Sequence, residues 1–208
     1  MTRIVKKPEE RRTDIIQTAR YLFQTKDYSK TSMQDVVESL GIAKGTVYHY
    51  FPSKEILLEA VIEDIIETII QKLNAFIEKT EGSVLEKFKK LIKMTNITEK
   101  NNDILSHLHR PGNEILHTRL LAKTILKLAP FYEELIREGC KEGVFQTETP
   151  LECAEFLLSG IQFLTDRGIY AWSVKDLKRR VQAFPKLIEQ QLNAPEKSFE
   201  FIKEYLDV

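Results

Sequence analysis

Residues 31–54 read TSMQDVVESLGIAKGTVYHYFPSK, and two short helices with a sharp turn between them can be read from that stretch. Thr31 and Gln34 stand at the spacing of a capping box, in which each side chain satisfies a backbone N–H at a helix start. Met33, Val36, Val37 and Leu40 then fall three and four apart and make one apolar stripe. Gly41 supplies the left-handed residue that closes a helix, and Ile42 is expected to pack behind the turn. A second helix is predicted over Lys44 to Tyr50, stopped at Phe51-Pro52 because a residue before proline is pushed out of the α region. Two short helices about a Gly turn make a helix-turn-helix.

The surface of the second helix carries the functional signal. Val47 and Phe51, four apart, turn inward, which leaves Lys44, Gly45, Thr46, Tyr48, His49 and Tyr50 on the remaining arc. That arc is rich in donors and has no carboxylate. Lys44 can neutralise a phosphate, Thr46 can meet a base edge or a thymine methyl, and the tyrosines and His49 can hydrogen-bond phosphate oxygens. Gly45 weakens the helix yet removes a side chain where a nucleic-acid backbone presses close. The plainer alternative makes the tyrosines half-buried packing residues with wet tips.

At these residues the sequence resembles the TetR family of bacterial transcription repressors. The match covers Asp14 to Val61, and its most specific part is TSMQDVVESLGIAKGTVYHYFPSKEILLEAV. Two positions depart from the family pattern. Asp27, in Lys26-Asp27-Tyr28, stands where Gly is usual and must take a left-handed backbone. Ala43 stands where Ser is frequent, so the recognition helix lacks a side-chain cap and leaves its first N–H groups to a phosphate. The resemblance implies an all-α protein of two domains: a three-helix DNA-binding domain at 1–54 and a larger helical effector-binding and dimerisation domain at 55–208. Thr31, Lys44, Gly45, Thr46, Tyr48, His49, Tyr50 and Lys54 are the expected DNA contacts, Lys44 and Lys54 for phosphate and Thr46 with Tyr48 or His49 for bases.

Charge and composition fit that division. The 208 residues carry 31 basic and 31 acidic side chains, a net charge of zero. Up to Lys54, ten Lys/Arg face six Asp/Glu, leaving +4, and the remainder, 21 against 25, is −4. A basic head on a mildly acidic body suits a protein that meets DNA through one end. No run of eighteen apolar residues and no signal-peptide pattern is present, which points to the cytoplasm and away from a membrane. Cys140 and Cys153 make neither a disulfide framework nor a metal spacing.

The other helices follow from caps and periodicity. Residues 1–7, with Arg3, Lys6 and Lys7, read as a solvated arm within reach of phosphate. Pro8-Glu9-Glu10 opens a helix with Ile15, Ile16, Ala19, Leu22 and Phe23 inward. Ser53 caps a long helix expected to reach Lys79, too long for the small head alone and therefore a link to a second core. Ser83 and Glu86 form another capping box, Asn101-Asn102-Asp103 breaks that helix, and a short one follows before Pro111-Gly112. A helix from Asn113 meets Pro130 as a kink or a new start and stops at Gly143. Thr149-Pro150-Leu151-Glu152 reads as a further capping box. Two helices then run over Pro150 to Tyr170 and Val174 to Leu192, before a short terminal helix within 196–208.

The resemblance implies that the last two long helices form a four-helix interface with those of a second subunit, through Phe156, Ser159, Gly160, Phe163, Leu164, Val181, Phe184, Leu187 and Ile188. It also implies an effector pocket in the larger domain, for which Asn96, His107, His117, Tyr132, Gln162, Asp166 and Trp172 are the polar candidates. His107 and His109 are two apart and His117 eight further on, without a Cys or carboxylate at regular ligand spacing, so no metal is expected. No P-loop, dinucleotide fingerprint or nucleophile elbow is present, so neither catalysis nor a cofactor is expected. The reading is a homodimeric DNA-binding regulator, a repressor, that binds a palindromic operator with half-sites about 34–36 Å apart and is released by a small molecule. The alternative is a helical ligand-binding or scaffolding dimer without specific DNA recognition.

Overall fold

A computed structural model describes residues 7–77, 80–95, 107, 109 and 114–204, and every described element is helical. Helix α1 spans Pro8–Lys26, α2 Met33–Leu40, α3 Lys44–Tyr50 and α4 Lys54–Ile77. Helix α5 spans Val84–Thr95, α6 Glu114–Lys141, α7 Pro150–Thr165 and α8 Val174–Leu192, with a 3-10 turn at Glu200–Glu204. These form two compact units. The first holds the described residues up to Glu67 together with His107, and the second the remainder, His109 included.

In the first unit α1 buries Ile15, Ile16, Ala19 and Phe23, and α2 buries Met33, Val36 and Val37. Val47 and Phe51 close the same core, as their spacing predicted. The connection from α1 to α2 turns on Asp27, whose φ of 70° is positive as anticipated, while its ψ of 145° lies outside the left-handed helical region. Helix α2 is capped one residue later than the sequence reading had it. Ser32 Oγ accepts from Asp35 N, and Asp35 Oδ2 accepts from Ser32 N, while Thr31 turns inward. Gly41, at φ 61°, closes α2 and starts the turn. Asp35 is tied back to α1 by Lys26 at 2.6 Å. The hydrogen bond from Lys26, then those from Ser32, hold its carboxyl well below the usual range. Asp64 of α4 accepts from Gln17 and pairs with Arg20 at 2.9 Å, fixing α1 against α4.

Helix α4 has 24 residues, about 36 Å at the standard rise, and the division between the units falls within it after Glu67. Ser53 caps it, accepting from Ile56 N, and residues 78–79 lie outside the described set.

The second unit packs around Phe88, Phe145 and Phe199, whose rings meet edge-on or stacked at 5.5–5.8 Å between centroids. Leu91, Leu135, Ile136, Val181, Phe184, Ile188 and Leu192 complete this core. Ser83 and Glu86 form the predicted capping box. Pro130 neither breaks nor restarts α6, which is continuous through it. The Thr149–Glu152 capping box is not formed: Thr149 makes no side-chain cap, and its hydroxyl lies against Cys153 Sγ at 4.0 Å. Helix α7 ends at Thr165, five residues short of the predicted Tyr170, because Asp166 leaves the α region and caps the following turn. Both cysteines are free. No helix among the described residues is long and apolar enough to cross a membrane.

Candidate functional site

Helix α3 is held by its two inward residues. Val47 and Phe51 are buried, while Lys44, Gly45, Tyr48 and His49 are exposed and Thr46 and Tyr50 half-buried. No carboxylate lies between Gly41 and Lys54 in the sequence. Lys44 Nζ rests 5.4 Å above the Tyr48 ring, and the His49 and Tyr50 rings meet edge-on at 5.4 Å. Ala43 provides no side-chain cap, as expected, and a Cβ placed on Gly45 would meet nothing within 4 Å. The outward arc is therefore a low, cationic and hydroxyl-bearing surface of the kind that fits a groove.

Two of the expected contacts sit differently. Thr31 is 2% exposed, and its Oγ1 donates to Asp27 O at 2.8 Å, so it is a structural pin of the turn and is removed from the DNA-facing set. Lys54 is half-buried, with its ammonium 4.0 Å above the Tyr28 ring. Tyr28, which sequence reasoning passed over, lies 4.9 Å from Phe23 and 3.8 Å from the His107 ring. Burial, then the nearby Glu55 carboxylate, pushes its hydroxyl up to about 12. His107 is thus a packing residue of the DNA-reading unit, which corrects its assignment to an effector pocket. Asn96 lies outside the described residues.

The other pocket candidates belong to the second unit. Tyr132 Oη and Thr95 Oγ1 are hydrogen-bonded at 2.9 Å, and burial pushes the phenol up to about 12. Gln162 Nε2 donates to Leu121 O at 3.1 Å, tying α7 to α6. Trp172 stacks on Tyr170 and lies under the Arg180 guanidinium at 3.5 Å. His117 and Asp166 are brought together, with His117 Nε2 2.9 Å from Asp166 Oδ2, both side chains being under 10% exposed. His109 Nε2 faces the same carboxylate at 3.8 Å. Burial outweighs the Asp166 charge and holds the His109 ring below its ordinary pKa. Periodicity missed this cluster because its carboxylate comes from another helix end.

On α7 and α8 the expected subunit contacts divide into two groups. Val181, Phe184 and Ile188 are buried in their own unit's core, because they lie on the α8 stripe shared with Leu177 and Leu192, and they leave the interface set. Phe156, at 68% exposed, with Leu164 and Leu187, remains on the surface. Ser159 and Phe163 are half-buried, and Gly160 would tolerate a Cβ without contact.

Two family models match the chain: the tetR family of bacterial regulatory proteins over residues 15–61, and the Tetracyclin repressor-like C-terminal domain over residues 94–187. The chain is 23% identical over 158 residues to the HTH-type transcriptional repressor KstR2 of Mycolicibacterium smegmatis, covering 70% of this chain and 72% of that protein. It is 27% identical to the uncharacterized HTH-type transcriptional regulator YfiR of Bacillus subtilis, covering 78% and 82%. Its fold matches the crystal structure of a TetR-family transcriptional regulator from Pectobacterium atrosepticum with a TM-score of 0.65 at 22% identity, covering 92% and 100%. With both parts of the family architecture matched and the donor face of α3 exposed within the first, the chain belongs to the tetR family of bacterial regulatory proteins and is a DNA-binding transcriptional regulator.

Proposed function

We propose that the protein is a cytoplasmic homodimeric repressor, without catalytic activity, that binds a palindromic operator and is released by a small-molecule effector. Residues 1–54 serve as the DNA-reading domain and 55–208 as the effector-binding and dimerisation domain. The observation that carries the reading is the exposed, carboxylate-free face of α3, with Lys44 directed to phosphate and Thr46 with Tyr48 or His49 directed to bases. Gly45 permits close approach of the DNA backbone, and Tyr50 and Lys54 border the contact. The surface apolar residues Phe156, Leu164 and Leu187, beside Gly160, Phe163 and Ser159, supply the self-complementary patch a twofold dimer needs. The effector acts on an equilibrium between dimers whose reading heads fit or miss successive major grooves, through α4, which is covalently common to both units.

Fluorescence anisotropy with DNA from upstream of the protein's own coding region tests this. The expected result is a salt-sensitive complex of two subunits per palindrome that survives excess nonspecific DNA. A chain that sediments as a dimer yet binds every duplex equally weakly is a scaffold, and the proposal fails.

A further inference from the structure

The second unit holds three ligand-type atoms that converge on one point. One ring nitrogen from each of His109 and His117 and a carboxylate oxygen of Asp166 all lie within 4.8 Å of one another. We infer that His109, His117 and Asp166 form a binding site for a single divalent transition-metal ion of the zinc class. This goes beyond the proposed repressor function, since it concerns metal binding alone and stands whether or not the chain releases DNA.

Donor chemistry and spacing both support it. Two imidazoles and one carboxylate are a three-ligand set that zinc uses when a fourth position is left to water or another ligand, with metal–ligand bonds of about 2.0–2.2 Å. Tetrahedral angles at that bond length place ligand atoms about 3.3 Å apart. The two imidazoles meet different oxygens of Asp166, His117 Nε2 lying 2.9 Å from Oδ2 and His109 Nε2 3.8 Å from Oδ1, on either side of that value. All three ligand atoms lie within 4.8 Å of one another, so a tetrahedral ion draws the widest pair together by up to about 1.5 Å. As a plain ion pair the cluster is less well explained. The carboxylate is within hydrogen-bond reach of His117, and the second imidazole faces it at 3.8 Å, beyond such reach.

The surroundings orient the ligands. Asp166 Oδ1 accepts from the backbone N–H groups of Gly168 and Ile169 at 2.8 and 3.0 Å, which fixes the carboxylate independently of either histidine. Gly168 leaves room for the His109 ring, since a Cβ there would come within 2.4 Å of it. His117 is buried, while the His109 side chain is 34% exposed and gives an entry path.

Titration of the full-length, tag-free protein with Co²⁺, followed by visible absorption, tests the site. One Co²⁺ per chain is expected, with a tetrahedral spectrum that Zn²⁺ abolishes. His109→Ala and Asp166→Asn are each expected to weaken binding by more than the roughly 10–100-fold that loss of an outer partner brings. Asn at 166 can still accept both backbone bonds, so circular dichroism like the wild type's is expected alongside the lost spectrum. Absence of a Co²⁺ spectrum near neutral pH overturns the proposal. So does equal binding by the wild type and a folded Asp166→Asn variant, which would mark the ion as adventitious.

Discussion

Replacing Lys44 by Ala separates a phosphate-neutralising role from a merely exposed one. The side chain is exposed on α3, and its one described partner is the Tyr48 ring, with the ammonium 5.4 Å from the centroid. Such a cation–π contact at an exposed site is worth about 0.5–1 kcal/mol, and Ala is at least as good a helix former as Lys, so the fold should be nearly unaffected. The effect on DNA is larger and has a signature. Each neutralised phosphate contributes about 0.9 to the slope of log K against log salt, so a symmetric dimer losing two contacts should have a slope shallower by about 1.8. From roughly 50 to roughly 200 mM salt that difference amounts to about tenfold: the variant should be most impaired at low salt and approach the wild type as salt rises. Thr46→Ala provides the contrast, with loss of affinity on the operator and an unchanged slope. Anisotropy titrations at four or five salt concentrations, with thermal melts to establish folding, measure all of this. A folded Lys44→Ala variant with the wild-type slope would refute the placement of α3 against the phosphate backbone, and a slope change of only about 0.9 would refute symmetric engagement of two subunits.

Gly45→Ala should divide stability from function. With no atom within 4 Å of the added Cβ, folding stability should rise by up to about 0.5–1 kcal/mol, while operator affinity should fall about tenfold if DNA approaches this backbone. Thermal melts and anisotropy read the two effects, and an unchanged affinity would free Gly45 of any role at the interface. Asp35→Asn should make stability less dependent on pH in acid. The folded-state pKa of Asp35 is depressed, so its contribution is present above the ordinary carboxylate value of about 3.9 and is lost as pH falls through the lower folded value. In urea unfolding the variant should therefore be weaker at neutral pH and converge on the wild type in acid, and a gap that stays constant down to pH 2 would contradict the linkage.

How far the sequence carried depended on whether a signal was local. Caps, glycine turns and apolar spacing located α1 to α3 and α8 closely, and the starts of α4 and α5, because each is set by residues within a few positions of one another. The capping box shows where such reasoning slips. Both Thr31 with Gln34 and Ser32 with Asp35 satisfy the spacing, and the choice falls to Ser32 because the Asp27 and Leu22 carbonyls draw the Thr31 hydroxyl inward. Periodicity likewise gave α8 its apolar stripe but not what buries it: Val181, Phe184 and Ile188 share one face and Leu187 lies on another, and only the packing of the second unit assigns the first face to its own core. The histidine cluster is the extreme case. His109 precedes α6, His117 lies on its first turns and Asp166 ends α7, so spacing along the chain held no trace of their convergence. At the early end of α7 the Asp166 carboxylate accepts from the N–H groups of Gly168 and Ile169, which holds it in place for the two imidazoles. The residue at which α7 stops short of its periodicity is thus also the one that supplies the carboxylate of the three-ligand set.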